Sequence, residues 1–258
     1  MQGTNGGDAR GALADQMALV SGAARGVGLA CARRIAELGA HVVLTDVDEP
    51  AGTQAAQALS GDGLRASFAP LDVSDVAAIR ACVSNIAATH GRIDVLVNNA
   101  GICLVAEIED VTEQHWDRTF QVNLRGTFFL SQAVVPHMKS QRSGRIINVA
   151  SVAARSGGTL PLAPYAASKA GIVSLTKTFA SHLAPYGVNV NAVAPGPVDT
   201  DLTRSWTDEQ RDRARRAIPW GRFATADEVA QVVAFLAGPG AAYMTGTTVD
   251  VNGGLRMD

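Results

Sequence analysis

Cysteine is scarce. Three in 258 residues, Cys31, Cys82 and Cys103, are too few for a disulfide scaffold and too widely spaced for a zinc pattern. They suit a reducing compartment, and a cytoplasmic chain is the expectation. Charge of one sign is also missing: 22 Lys and Arg against 24 Asp and Glu leave a net charge of −2. Such a balance offers no basic excess to hold a polyphosphate backbone, so nucleic acid is not an expected partner. No apolar run approaches the ~20 residues that cross a bilayer, which argues against a membrane role. The five histidines (His41, His90, His115, His137, His182) never fall at i, i+4 around an acidic residue, and no metal is expected. Residues 1–16 lack a basic start followed by an apolar core, so they do not read as a secretory signal. They read as a loose arm ahead of residues 17–258, expected to form one domain.

Apolar residues, in contrast, make up 47% of the chain, enough for a substantial core, and there are 26 glycines. Short β-branched runs alternate with longer helical patterns. Strands are expected near 18–20, 42–44, 66–69, 93–97, 145–149, 188–193 and 247–251. Helices are expected near 27–38, 51–59, from 74 onward, 112–138, 165–183 and 226–236, with Ser74 or Asp72 capping the third. This alternation predicts a doubly wound parallel sheet of about seven strands with helices on both faces. Ligands of such sheets bind beyond the carboxyl ends of the strands. The charge-dense stretch 208–216 reads as a solvated helix face.

The first strand runs into Ser21-Gly22-Ala23-Ala24-Arg25-Gly26-Val27-Gly28, followed by a helix. Glycines there allow a tight turn and a close backbone approach to a pyrophosphate, and the helix start supplies free N–H groups. Asp46 follows the second strand, where an acidic group accepts the ribose hydroxyls of an adenosine and repels a 2′-phosphate. NAD is therefore expected over NADP. Arg25 pulls the other way, because a cation beside the loop can pair with a 2′-phosphate.

Gly22/Gly26/Gly28, Asn98-Asn99-Ala100-Gly101, Ser151, Tyr165-x3-Lys169 and Pro195-Gly196 occur in this order. Together they resemble the classical short-chain dehydrogenases/reductases, over nearly the whole chain. The resemblance implies a Rossmann-type fold and a catalytic set of Asn123, Ser151, Tyr165 and Lys169. Tyr165 and Lys169, four apart, share a helix face. A nearby ammonium favours a phenolate and fits Tyr165 as general acid/base. Ser151 would orient the reacting oxygen, and Asn123 would hold a water linked to the lysine. For the cofactor, the resemblance implies contacts from Gly22, Arg25, Gly26, Val27, Gly28, Asp46, Asp72, Val73, Asn99, Ala100, Gly101, Tyr165, Lys169, Pro195, Gly196, Val198 and Thr200. It also implies a substrate lid over about 201–220, which Arg204, Trp206 and Trp220 would shape, and a homotetramer.

The expected activity is hydride transfer between NAD(H) and a small secondary alcohol or ketone. The nearer alternative is an NADPH-dependent 3-oxoacyl-thioester reductase, with Arg25 reading the 2′-phosphate. A remoter one is a dinucleotide-binding regulator without turnover. Cys103 is expected to serve packing near the site.

Overall fold

The computed structural model describes residues 11–158, 160–204 and 206–257. In chain order the elements are β1 (Met17–Ser21), α1 (Gly26–Glu37), β2 (His41–Asp46), α2 (Glu49–Gly61), β3 (Ala66–Pro70), α3 (Val76–His90), β4 (Val95–Asn98), α4 (Glu113–Phe120), α5 (Gly126–Gln141), β5 (Gly144–Val149), α6 (Ala153–Ser156), α7 (Ala163–Leu183), β6 (Val188–Pro195), α8 (Asp201–Arg204), α9 (Asp208–Ala217), α10 (Ala226–Ala237) and β7 (Thr248–Val251). The strands form a seven-stranded sheet in the order β3-β2-β1-β4-β5-β6-β7, and every pairing is parallel.

Side-chain alternation along the strands divides the core in two. Ala18 and Val20 of β1 pack with α1, α2 and α10, through Ile35, Leu59 and Val233 among others. Met17 and Leu19, pointing to the other face, pack with α3, α5 and α7 through Ile79, Leu130 and Leu183. Arg34 of α1 pairs with Asp227 of α10 at 2.5 Å and fixes the two helices of the first layer side by side. The chain leaves β1 in one direction and β4 in the other. A crevice therefore opens between their carboxyl ends, where the order reverses.

Three expectations change. Residues 1–10 of the expected arm lie outside the described residues, but 11–16 are not loose. Leu13 is fully buried, and the N–H groups of Gly11 and Leu13 donate to the Leu38 carbonyl at 3.2 and 2.9 Å. The cap of α3 is Asp75, whose carboxylate accepts the Ala77 and Ala78 N–H groups, rather than Ser74 or Asp72. The helix expected over 112–138 is two helices joined by a π-helical turn, Gln121–Arg125. The second begins at Gly126, where a Cβ would stand 2.8 Å from the Val73 carbonyl oxygen. Such turns re-aim side chains within a helix, and here the side chain is Asn123.

Candidate active site

The glycine turn between β1 and α1 forms the floor of one groove. Gly22 and Gly26 adopt φ of +63° and +56°, a conformation L side chains avoid. A Cβ on Gly22 would also lie 2.7 Å from Ala100 Cα. The start of α1 has no side-chain cap: Arg25 occupies the capping position without bonding to it. Helices α2, α3, α4, α9 and α10 are all capped by their own Asp or Thr. The N–H groups of α1 therefore remain available to an anion, as a dinucleotide pyrophosphate requires.

The expected cofactor residues Gly22, Arg25, Gly26, Val27, Asp46, Asp72, Val73, Asn99, Ala100, Gly101 and Thr200 line this groove. Gly28 does not. It faces inward, where a Cβ would come within 2.1 Å of the Gly22 carbonyl oxygen, so it packs the turn instead of touching the groove. Asn99 braces the same turn by donating from Nδ2 to the carbonyls of Ser21 and Gly22 at 3.1 and 2.8 Å. Ser21 completes it: its hydroxyl accepts the N–H groups of Asn99 and Ala100 at 3.1 and 3.2 Å. Burial disfavours the Asp72 anion. Hydrogen bonds from the Ser74 hydroxyl and N–H, with Arg118 nearby, still hold its carboxyl below the usual range.

The groove runs, through Val27, Asn99, Gly101 and Thr200, into a second cleft. Ser151, Tyr165, Lys169, Pro195, Gly196 and Val198 line this cleft. Ser151 leaves the end of β5, and its Oγ accepts the Ala153 N–H at 3.1 Å. Tyr165 and Lys169 project from the first turns of α7 onto the same wall, with the Lys169 Nζ 5.7 Å from the centre of the Tyr165 ring. Nζ donates to the Val149 carbonyl at 2.7 Å, and the residue is only 4% exposed. Burial pushes the Lys169 ammonium down to about 8. Burial also raises the Tyr165 phenol, aided by Cys103 and opposed by the Ser151 hydroxyl hydrogen-bonded to it. Burial is the largest cause of the shift in this phenol, whereas the lowering expected from sequence invokes the charge of a bound nicotinamide as well as Lys169.

Asn123 reaches the same place from the π-helical turn. Its Oδ1 accepts the Ile102 N–H at 2.8 Å, while Nδ2 donates to the Ile102 carbonyl at 2.9 Å and to the Ser168 hydroxyl at 3.0 Å. The side chain thus clamps the loop after β4 against the start of α7. Gly101 lets this happen: a Cβ there would lie 3.2 Å from Asn123 Oδ1 and 3.4 Å from Lys169 Nζ.

The sequence motifs mark the polar residues of the cleft but not its apolar side, which Val152, Leu162, Leu202, Trp206 and Leu255 form. Their separation in sequence gives no period or motif that would join them. Cys103 also lines the cleft, and burial pushes its thiol up to about 12, against the pull of Lys169. Among the described residues there is no cluster of three or more His, Cys, Asp or Glu placed to hold a metal, and no helix is long and apolar enough to cross a membrane.

A dinucleotide groove at the switch point, leading to a serine, a tyrosine and a lysine on one wall, defines a class of pyridine-nucleotide oxidoreductases. The chain belongs to this class as a member of the classical short-chain dehydrogenase/reductase family. The family model described as enoyl-(acyl carrier protein) reductase matches residues 22–256. Among curated relatives, the 3-oxoacyl-(acyl-carrier-protein) reductase FabG of Vibrio cholerae is 43% identical over 95% of this chain and 99% of its own length. FabG of Escherichia coli is 41% identical over 94% and 98%, respectively. Two solved structures superimpose closely. The crystal structure of gox2181 has a TM-score of 0.92 at 36% identity, covering 94% of this chain and 96% of its own. A candidate NAD(P)-dependent gluconate 5-dehydrogenase from Beutenbergia cavernae, with NADP bound at low occupancy, has a TM-score of 0.90 at 37% identity, covering 94% and 97%.

The NADP in that neighbour overturns the preference for NAD read from Asp46. The structure supplies a local reason for the aspartate. Its Oδ2 accepts the Ala24 N–H and its Oδ1 the Asp48 N–H, each at 3.1 Å, so the carboxylate braces the glycine turn. Asp46 is thus accounted for without a ribose. Arg25, exposed at the same groove and paired with Asp48, is the cation that stands beside it.

Proposed function

We propose that the protein reduces 3-oxoacyl thioesters at the expense of NADPH. The observation that carries this reading is the chemistry of the cleft. Among the described lining residues the only charged side chain is Lys169, already engaged with Val149. A sugar acid such as gluconate would need a cation for its carboxylate. An acyl chain needs only the apolar side. The identity to FabG proteins over nearly the full chain supports the same reading.

Bound in the groove, NADPH supplies the hydride. The residues then divide the remaining work. The Gly22–Gly28 turn and the uncapped start of α1 would hold the pyrophosphate, and Arg25, at the same groove, would supply a cation for the 2′-phosphate. Ser151 donates a hydrogen bond to the substrate's 3-oxo oxygen and holds it beside Tyr165. Tyr165, whose ordinary phenol value of about 10 keeps it protonated at neutral pH, gives its proton to that oxygen as negative charge develops there. Lys169 would hold the nicotinamide ribose, and its ammonium stabilises the phenolate left behind. Asn123 keeps the loop after β4 and the start of α7 in register, and the proton returns from solvent by way of Lys169. Segment 201–220 covers the substrate side, and α5 with α7, and β7, form the faces of a homotetramer, testable by light scattering.

Initial rates with acetoacetyl thioester and either NADPH or NADH test the assignment. NADPH is expected to be the better donor, and Arg25→Ala to raise the KM for NADPH by about tenfold or more with little effect on NADH. Thioester turnover absent under conditions where a sugar acid is oxidised would overturn it.

A further inference from the structure

Three side chains of segment 201–220 are placed by sequence to shape the substrate side, and the structure separates them. Trp220 is 70% exposed and lines a different depression, beside Asn252 and Gly253. Arg204 turns to Asp199 and Asp201, at 3.7 and 3.1 Å. Trp206 alone of the three lines the catalytic cleft, on the side not shared with the cofactor groove.

Its indole is not free to swing. It stands edge-on to Phe223, with ring centres 6.1 Å apart and planes at 78°. Both rings belong to a small separate core of Ala214, Ile218 and Phe223, joined by Leu255. Helix α9 seats Ala214 in this core, and its start is fixed by a reciprocal cap between Thr207 and Gln210. The residue is therefore a wall backed by packed protein: Ala214, Ile218 and Phe223 form the apolar backing, with Arg211 and Arg215 over the Phe223 ring at 5.1 and 5.9 Å.

We propose that Trp206 sets the length of the apolar chain that the site accepts, by closing the cleft on the side away from the cofactor. This rests on the acyl-thioester reading and adds a specificity-determining residue to it. Shortening the side chain would extend the cleft toward Phe223. Each methylene newly accommodated there favours the longer substrate by about fourfold, since burying one is worth about 0.8 kcal/mol.

The test compares kcat/KM for N-acetylcysteamine thioesters of 3-oxo acids with four to ten carbons, in wild type, Trp206→Leu and Trp206→Ala, with NADPH. The ten-to-four-carbon ratio is expected to rise about tenfold or more in Trp206→Ala and less in Trp206→Leu. Should Trp206→Ala fail to fold, Trp206→Leu, which keeps an apolar contact with Phe223, decides alone. A ratio unchanged within about twofold in the folded variants overturns the proposal. Failure of the thioester reading looks different: wild type would reduce none of the series. The same length ratio is then read from calorimetric binding of saturated acyl thioesters to the NADP complex, where a rise supports Trp206 as the gauge and an unchanged ratio rejects it.

Discussion

Tyr165 and Lys169 show how burial decides what a side chain can do. Four residues apart on α7, they are expected from the sequence to act as a general acid/base and the ammonium that tunes it; burial raises the phenol and pushes the ammonium down to about 8. A neutral phenol is the acid that carbonyl reduction needs. Tyr165→Phe is expected to lower kcat for reduction by about 10²–10⁴-fold, with NADPH affinity changed only slightly; turnover close to wild type would remove Tyr165 from the chemistry. Lys169 gives a second, pH-dependent expectation. As the pH rises through about 8 it loses the charge that holds the ribose and phenolate, so kcat/KM for reduction should decline there. A profile that stays level from neutral pH to well above 8 would count against that role.

At the scale of elements, the π-helical turn does what neither helix beside it could. A continuous helix is what the pattern of residues 112–138 suggests, because periodicity cannot report one extra residue in a turn. The turn delivers Asn123 to both backbone groups of Ile102 and to Ser168. Asn123→Ala would leave those buried groups unpaired, at a cost of about 1–3 kcal/mol, seen as a lower Tm together with lost activity. Asn123→Asp, which keeps the acceptor for the Ile102 N–H, should restore part of the stability. The glycine turn is a second case. Gly28→Ala forces a methyl against the Gly22 carbonyl, and loss of NADPH binding by calorimetry is the expected result although Gly28 itself does not face the groove.

For the whole molecule, the parallel sheet buries two apolar layers and leaves its crevice at the β1/β4 reversal, so cofactor binding and global stability are coupled. NADPH at about 100 times its Kd should stabilise the fold by about 2.7 kcal/mol, measurable as a rise in Tm. Acid acts at the opposite end of the sheet. His41, at the start of β2, lies edge-on to His90, ring centres 4.5 Å apart, and burial, with His90 and Arg65 nearby, lowers its pKa. The unfolded chain then takes up the proton more readily, so stability is intact above the ordinary histidine value and declines as the pH falls through about 6.5. His41→Gln should flatten that part of the Tm–pH curve; an unaltered slope would assign acid sensitivity elsewhere.

The order of strands and helices, the glycine turn, and the Ser151, Tyr165 and Lys169 set were legible in the sequence because each is written locally, as a period, a spacing or a turn residue. Asp46 shows the limit of that reading. Its place at the end of β2 suggested a ribose partner, whereas its carboxylate braces a turn 22 residues earlier in the chain through the Ala24 N–H. The protonation of the Tyr165–Lys169 pair, the π-helical break at Asn123 and the apolar wall from Val152 to Leu255 depended on the tertiary structure. Desolvation, packing and contact between distant segments arise only when the chain has closed on itself, and no local pattern encodes them.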